Sequence, residues 1–134
     1  MITATARRRE GYAHDVEVDG HRFIIDEPTS LGGDDRGPSP MRAVAGALAA
    51  CTAITVEMYA DRKGWELGDV EATVAFEPDV RGTVERFDVV LRVSPALDDE
   101  QIGRIRTIAG KCPVHRALSA GGGIELADRV ERLG

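Results

Sequence analysis

The sequence predicts an α+β fold rather than a doubly wound α/β sheet. Strand-like alternation clusters at the start of the chain and again in its middle. A single long apolar helix lies between the two clusters, and helical periodicity dominates the C-terminal third. The elements read in the order β-β-β-α-β-β-α-α-β, a pattern of antiparallel hairpins around helices.

Ile2–Arg9 alternates small or β-branched residues with polar ones, as a strand that Gly11 ends. Val16-Glu17-Val18 and Arg22-Phe23-Ile24-Ile25 flank Asp19-Gly20, the strongest short hairpin signal, so three antiparallel strands fill the first 26 residues. Pro28 to Pro40 is polar and glycine-rich, the composition of a mobile or site-lining loop. Its Gly32-Gly33 has no Lys-Ser/Thr behind it, which argues against a nucleotide site. Ser39 caps and Pro40 opens the main helix, which should run to about Lys63 with Gly64 as its stop.

Val44, Ala45, Leu48, Ala49, Cys51, Ile54 and Val56 fall on every side of that helix, so burial all round is expected, with emergence at Glu57, Asp61, Arg62 and Lys63. Small residues such as Ala43, Gly46 and Ala50 would let another helix approach. Val70–Glu77 and Val84–Val93 read as a second hairpin. Asp98 caps the next helix with Gln101 at capping-box spacing, and Ile102, Ile105, Ile108 and Ala109 form its apolar stripe. Cys112-Pro113 starts a short helix ending near Gly121-Gly122-Gly123, and Ile124–Val130 reads as a last strand.

A chain of 134 residues suggests a single domain, 1–134, long enough to bury one core. Its 43% hydrophobic and 30% charged residues are those of a soluble globular protein. The net charge of -6 argues against nucleic acid or an anionic membrane surface as partner. Arg7-Arg8-Arg9 is not followed by an apolar stretch, so no signal peptide is read. The uncharged run Ala43–Val56 falls short of the ~20 residues of a membrane span. A cytoplasmic protein without membrane contact is expected. Its two cysteines are then free or redox-active rather than a structural staple.

Those cysteines are the chemistry-bearing residues. Cys51 lies mid-helix in the apolar run, and Cys112 stands before Pro113. A thiol peroxidase needs two such groups. One thiolate attacks the O–O bond and becomes a sulfenic acid, and the second thiol condenses with it. Only a few per cent of an ordinary thiol is ionised at neutral pH. Cys51 lies too far into its helix for the dipole to help, and burial opposes ionisation. A cation is required, and Arg36, Arg42, Lys111 and Arg116 are candidates. Local structure favours Cys112 as the readier thiolate, beside a helix start and two cations. A disulfide closing the loop of about 60 residues would stabilise the oxidised fold by about 4 kcal/mol. Other readings stay open. Cys51 is also an ordinary small core residue, Cys112 an ordinary thiol at a cap, and Cys112-x-x-His115 has metal-ligand spacing.

Three segments carry a family resemblance over nearly the whole chain. Gly32-Gly33-Asp34-Asp35-Arg36-Gly37-Pro38-Ser39-Pro40 with Ala47-Leu48-Ala49-Ala50-Cys51-Thr52 resembles the first signature of the OsmC/Ohr family. Met58-Tyr59-Ala60-Asp61-Arg62-Lys63-Gly64-Trp65 resembles the helix end of its OsmC-like branch, and Lys111-Cys112-Pro113-Val114-His115-Arg116-Ala117-Leu118 the second signature. The resemblance implies an intertwined homodimer, with antiparallel sheets wrapped around two buried central helices. It also implies a cysteine-based reductase of organic hydroperoxides in oxidative-stress defence, with no bound cofactor or metal. A small or lipoyl-type dithiol would recycle it. On that pattern Cys51 is the peroxidatic thiol and Cys112 the resolving one, and an arginine, Arg36 or Arg42, supports them. The chain departs from the pattern after Pro40, where Met41 and Arg42 replace the glutamate of peroxidase-active members. That departure motivates the alternative of a non-catalytic dimer that binds a small apolar ligand or senses redox state.

Overall fold

The computed structural model describes residues 1–133 and is mixed α+β. Strands β1 (Ala4–Glu10), β2 (Ala13–Val18) and β3 (His21–Ile25) form an antiparallel sheet in the order β1-β2-β3. Asp19 and Gly20 both take positive φ (48° and 79°), which lets the chain reverse in two residues and pairs Val18 with His21. A single 3₁₀ turn, Thr29–Leu31, comes next.

Asp26 organises the glycine-rich loop. It is buried, and its carboxylate accepts the backbone N–H groups of Glu27 (2.7 Å), Arg36 (3.2 Å) and Asp34 (3.3 Å). The N–H of Asp26 in turn donates to Pro38 O at 3.2 Å. Donors of the kind a phosphate cradle uses are therefore turned onto an internal anion, which gives the absence of a P-loop signature a structural basis. The backbone packs on itself here. A Cβ on Gly37 would stand 2.1 Å from Ile24 O, and one on Gly33 1.9 Å from Glu27 O. Gly37→Ala should lower stability by about 2–3 kcal/mol or more, because main chain rather than a flexible side chain must give way. Urea unfolding checks it.

Burial pushes the Asp26 carboxyl up, but the three N–H donors and the Arg36 guanidinium push it further down, below the usual aspartate range. A carboxyl with a depressed folded pKa stabilises fully above the unfolded value, about pH 4, and loses that contribution as pH falls through the folded one. Asp26→Asn should therefore melt below the parent at neutral pH. The two melting temperatures should converge as the pH falls below about 4, as thermal melts across that range will show.

Helix α1 spans Pro40–Lys63, as its opening Ser-Pro and following glycine predict. Ser39 O accepts the first turn's bond from Ala43 N at 2.9 Å, and Gly64 ends the helix at φ 70°. Ala45, Leu48, Thr52, Val56 and Ala60 are buried, a strip at three- and four-residue spacing. The opposite side is not. Ile54 is 48% and Met58 58% exposed, so burial on every side is not met within one chain. Apolar residues occupy both faces, but one chain covers only one. By length and composition the helix would also suffice to cross a bilayer, contrary to the shorter run counted between charges.

Strands β4 (Glu71–Ala75) and β5 (Asp88–Arg92) form a two-stranded sheet, each shorter than its alternation suggests. Phe76 and Phe87 stack edge to face just beyond the strand ends, with centroids 5.4 Å apart. Helix α2 (Asp99–Ala109) carries the expected capping box between Asp98 and Gln101. Helix α3 (Pro113–Leu118) is the last element. The strand expected at Ile124–Val130 does not form. Ile124, Leu126 and Val130 are 66%, 85% and 101% exposed. Alternation alone makes no strand without an edge to pair with.

By backbone contacts the chain groups into two compact units. One comprises Met1–Ala49 with Thr73–Val90, the other Ala50–Ala72 with residues from Leu91 onward. The core of the second unit is Val56, Ala60, Leu67 and Ile105, with Trp65, Leu91, Leu97 and Ile108 packed against it.

Candidate functional site

Both cysteines belong to the second unit. Cys51 is half-buried on α1, and Cys112 is fully buried as the N-cap of α3. Pro113 occupies the first turn of α3 and has no N–H to satisfy. The Cys112 sulfur accepts the His115 N–H at 3.4 Å, in the place where serine or aspartate would usually cap. Neither sulfur is in a disulfide.

The fold brings the two thiols near enough to influence each other's ionisation, in the sense that favours the proton on Cys112. The Val114 N–H and the Thr55 hydroxyl also favour the Cys51 thiolate. Burial pushes the Cys51 thiol up, but these three groups push it down by more, and its pKa lies below that of a free thiol. Cys112 moves the opposite way. Burial raises it, and so does the neighbouring Cys51 with its charge, against the weaker pull of the His115 and Val114 N–H groups. The two thiols are therefore shifted apart, Cys51 toward easier ionisation and Cys112 toward holding its proton. This reverses the expectation from local sequence, which favoured Cys112. Burial at the cap outweighs its place at a helix start.

Cations play a smaller part than expected. Arg36 pairs with Glu10 at 3.5 Å, and its N–H serves Asp26. Arg42 is exposed in the first turn of α1, and Lys111 and Arg116 are exposed beside Cys112. The groups that ease ionisation of Cys51 are a thiol, an amide and a hydroxyl, with no arginine or lysine among them. Sequence reasoning missed Thr55 and Val114. Thr55 is legible in hindsight, since it sits one helical turn after Cys51. Val114 acts through its backbone, which side-chain chemistry cannot reveal. The His115 imidazole lies 3.4 Å from Ser119 Oγ. Among the described residues no three His, Cys, Asp or Glu side chains gather to hold a metal.

The α+β fold thus carries two free thiols, one on α1 and one at the cap of α3. The chain belongs to the OsmC-like protein family, whose pattern matches residues 32–127. Solved structures of similar fold include a Psychrobacter arcticus 273-4 protein named for osmotic-stress induction and detoxification response. Its TM-score is 0.80 at 19% identity, over 89% of each chain. The OsmC-like protein of Mycoplasma pneumoniae matches at TM-score 0.74 and 19% identity, over 88% of this chain and 86% of that one. The organic hydroperoxide resistance protein OhrB of Bacillus subtilis matches at TM-score 0.60 and 26% identity, over 90% of this chain and 92% of that one. No curated protein sequence matches the chain.

Proposed function

We propose that the protein is a thiol-dependent reductase of organic hydroperoxides, with Cys51 peroxidatic and Cys112 resolving. The observation that carries this reading is the meeting of two free thiols, Cys51 on α1 and Cys112 at the cap of α3, in surroundings that ease ionisation of the first and oppose it in the second. Family membership supports it, as does the likeness to a protein named for organic hydroperoxide resistance.

The Cys51 thiolate attacks the terminal oxygen of ROOH, and the O–O bond breaks. The sulfur is oxidised to S–OH and the leaving alkoxide takes the Cys112 proton to become ROH. The Cys112 thiolate then attacks the sulfenic sulfur. Hydroxide leaves, is protonated to water, and a disulfide remains. An external dithiol, small or lipoyl-type, returns two electrons and two protons and restores both thiols. No bound cofactor or metal enters these steps. Ile54 and Met58 lie on the same face of α1 as Cys51, at helical spacing, and offer an apolar bed for an alkyl or lipid chain. We place the protein in the cytoplasm, working in oxidative-stress defence as a homodimer whose second copy covers that face.

A second reading is favoured by one observation. The first turn of α1 carries no acidic residue, with Met41 and Arg42 where a carboxylate would stand. It makes the protein a non-catalytic dimer that binds a small apolar ligand or senses redox state. Consumption of cumene hydroperoxide by the protein with dithiothreitol or dihydrolipoamide separates the two. Turnover supports the reductase. No turnover, together with a Cys51 that titrates like a free thiol, supports the alternative.

A further inference from the structure

We propose that the groove between α1 and α2 is a binding site for a small monocarboxylate with a flat apolar body, separate from the thiols. Glu100, Gly103, Arg104, Thr107, Ile108 and Lys111 line it at three- and four-residue steps, so they share one face of α2 and its extension. A backbone bond from Lys111 N to Ile108 O, 2.9 Å, carries that face past the helix end. Tyr59 of α1 lines the groove as well, and its volume is about 630 Å³, in the range of small-molecule sites. Neither cysteine lines it, and Cys112 is fully buried.

The apolar part is set before any ligand arrives. Tyr59 and Ile108 are both half-buried. Trp65 meets the Tyr59 ring edge to face, with centroids 5.5 Å apart, and Lys63 Nζ lies 5.7 Å from the ring centroid. Gly103 keeps the groove open, since a Cβ there would meet nothing within 4 Å. Charge then selects the ligand. Among the described residues Glu100, Arg104 and Lys111 make no ion pair. Thr107 Oγ1 already donates to Gly103 O at 3.3 Å, so Arg104 and Lys111 are left as the cationic donors. Two cations against one carboxylate leave the groove a single positive charge in excess, on a chain whose net charge is -6. A monocarboxylate balances it, whereas a phosphate monoester, at about -1.5 to -2 near neutral pH, overshoots. The planar Arg104 guanidinium suits a carboxylate, which it holds by two parallel bonds.

This site goes beyond the hydroperoxide-reductase reading, and its test needs no thiol chemistry. Phenylbutyrate, and phenylbutanol as its uncharged counterpart, are titrated into the full chain and followed by amide chemical shifts. A ligand of this size should bind with a dissociation constant of about 1 mM or tighter, so titration to about 10 mM approaches saturation. Shifts are expected at Tyr59 and along Gly103, Arg104 and Thr107, with the alcohol several-fold weaker than the acid. Arg104→Gln should weaken the acid about five- to tenfold, allowing for screening by solvent, and leave the alcohol unchanged. Gly103→Leu puts a side chain into open space on a helix that gains propensity, so the fold should stand while both ligands lose their place. Shifts confined to the surroundings of Cys51 and Cys112 would overturn the assignment, and so would an alcohol that binds as tightly as the acid. No shift at about 10 mM, or an Arg104→Gln variant that binds the acid like the parent, would overturn it equally. Hydroperoxide consumption is measured apart from these titrations, so the two readings stand or fall separately.

Discussion

Cys51→Ser should leave the protein folded and reduce its consumption of an organic hydroperoxide to the background of the free dithiol. A loss of at least about a thousandfold is expected, the scale seen when a nucleophile is removed outright. The substitution replaces sulfur by oxygen in a half-buried position of a long helix, so stability should change little. The chemistry is lost because a serine hydroxyl is not ionised near neutral pH. The groups that ease ionisation of Cys51 cannot make up a difference of that size. Cys112→Ser should behave differently. Its Cys51 thiolate still attacks once, so about one equivalent of hydroperoxide should disappear in a burst before turnover stalls. A sulfenic acid should then be trapped at Cys51 by dimedone and seen by mass. Peroxide consumption by the two variants checks both statements. A Cys51→Ser protein as active as the parent would remove this residue from the chemistry.

How much of the fold and site is legible in the sequence depends on whether the cause is local. The bounds of α1 come from Ser39-Pro40 and Gly64, the Asp19-Gly20 reversal from two residues that tolerate positive φ, and the Asp98–Gln101 cap from spacing alone. Each is settled by neighbours in the chain. The signatures around Cys51 and Cys112 are enough for the family and its fold, which the match over 32–127 and the similar structures bear out. Ionisation is not legible in the same way. The state of Cys51 depends on an amide and a thiol about sixty positions away, and on a hydroxyl whose direction is a matter of rotamer. Local sequence therefore favours Cys112, whereas the surroundings ease ionisation of Cys51 and oppose it in Cys112. It also points to Arg36, which is engaged with Glu10 and Asp26. The failed strand at Ile124–Val130 and the bare face of α1 share one cause. Apolar patterning says that a surface will be covered, but it does not say by which chain.

That bare face leads to the second large effect. Met58→Glu should turn the protein from a dimer into a monomer. Met58 is 58% exposed and Ile54 48% exposed on one side of a helix whose mean hydropathy reaches 1.5 over an 18-residue window. Water is a poor environment for such a face, and the small residues Gly46, Ala47 and Ala50 leave room for close approach of another helix. A second copy presenting the same face would cover it, and two-fold symmetry would then place residue 58 in the interface twice. A carboxylate at that position loses its water on association without gaining a partner. The penalty is several kcal/mol per copy. Even about 4 kcal/mol in total weakens dimerisation by about a thousandfold, which carries a micromolar interface beyond any working concentration. Size-exclusion chromatography with light scattering should report a dimer for the parent and a monomer for Met58→Glu, both soluble without detergent. A parent that is monomeric would end the dimer proposal. A parent soluble only in detergent would point to a lipid surface as the covering partner. A variant that remains dimeric would place the interface elsewhere on the molecule.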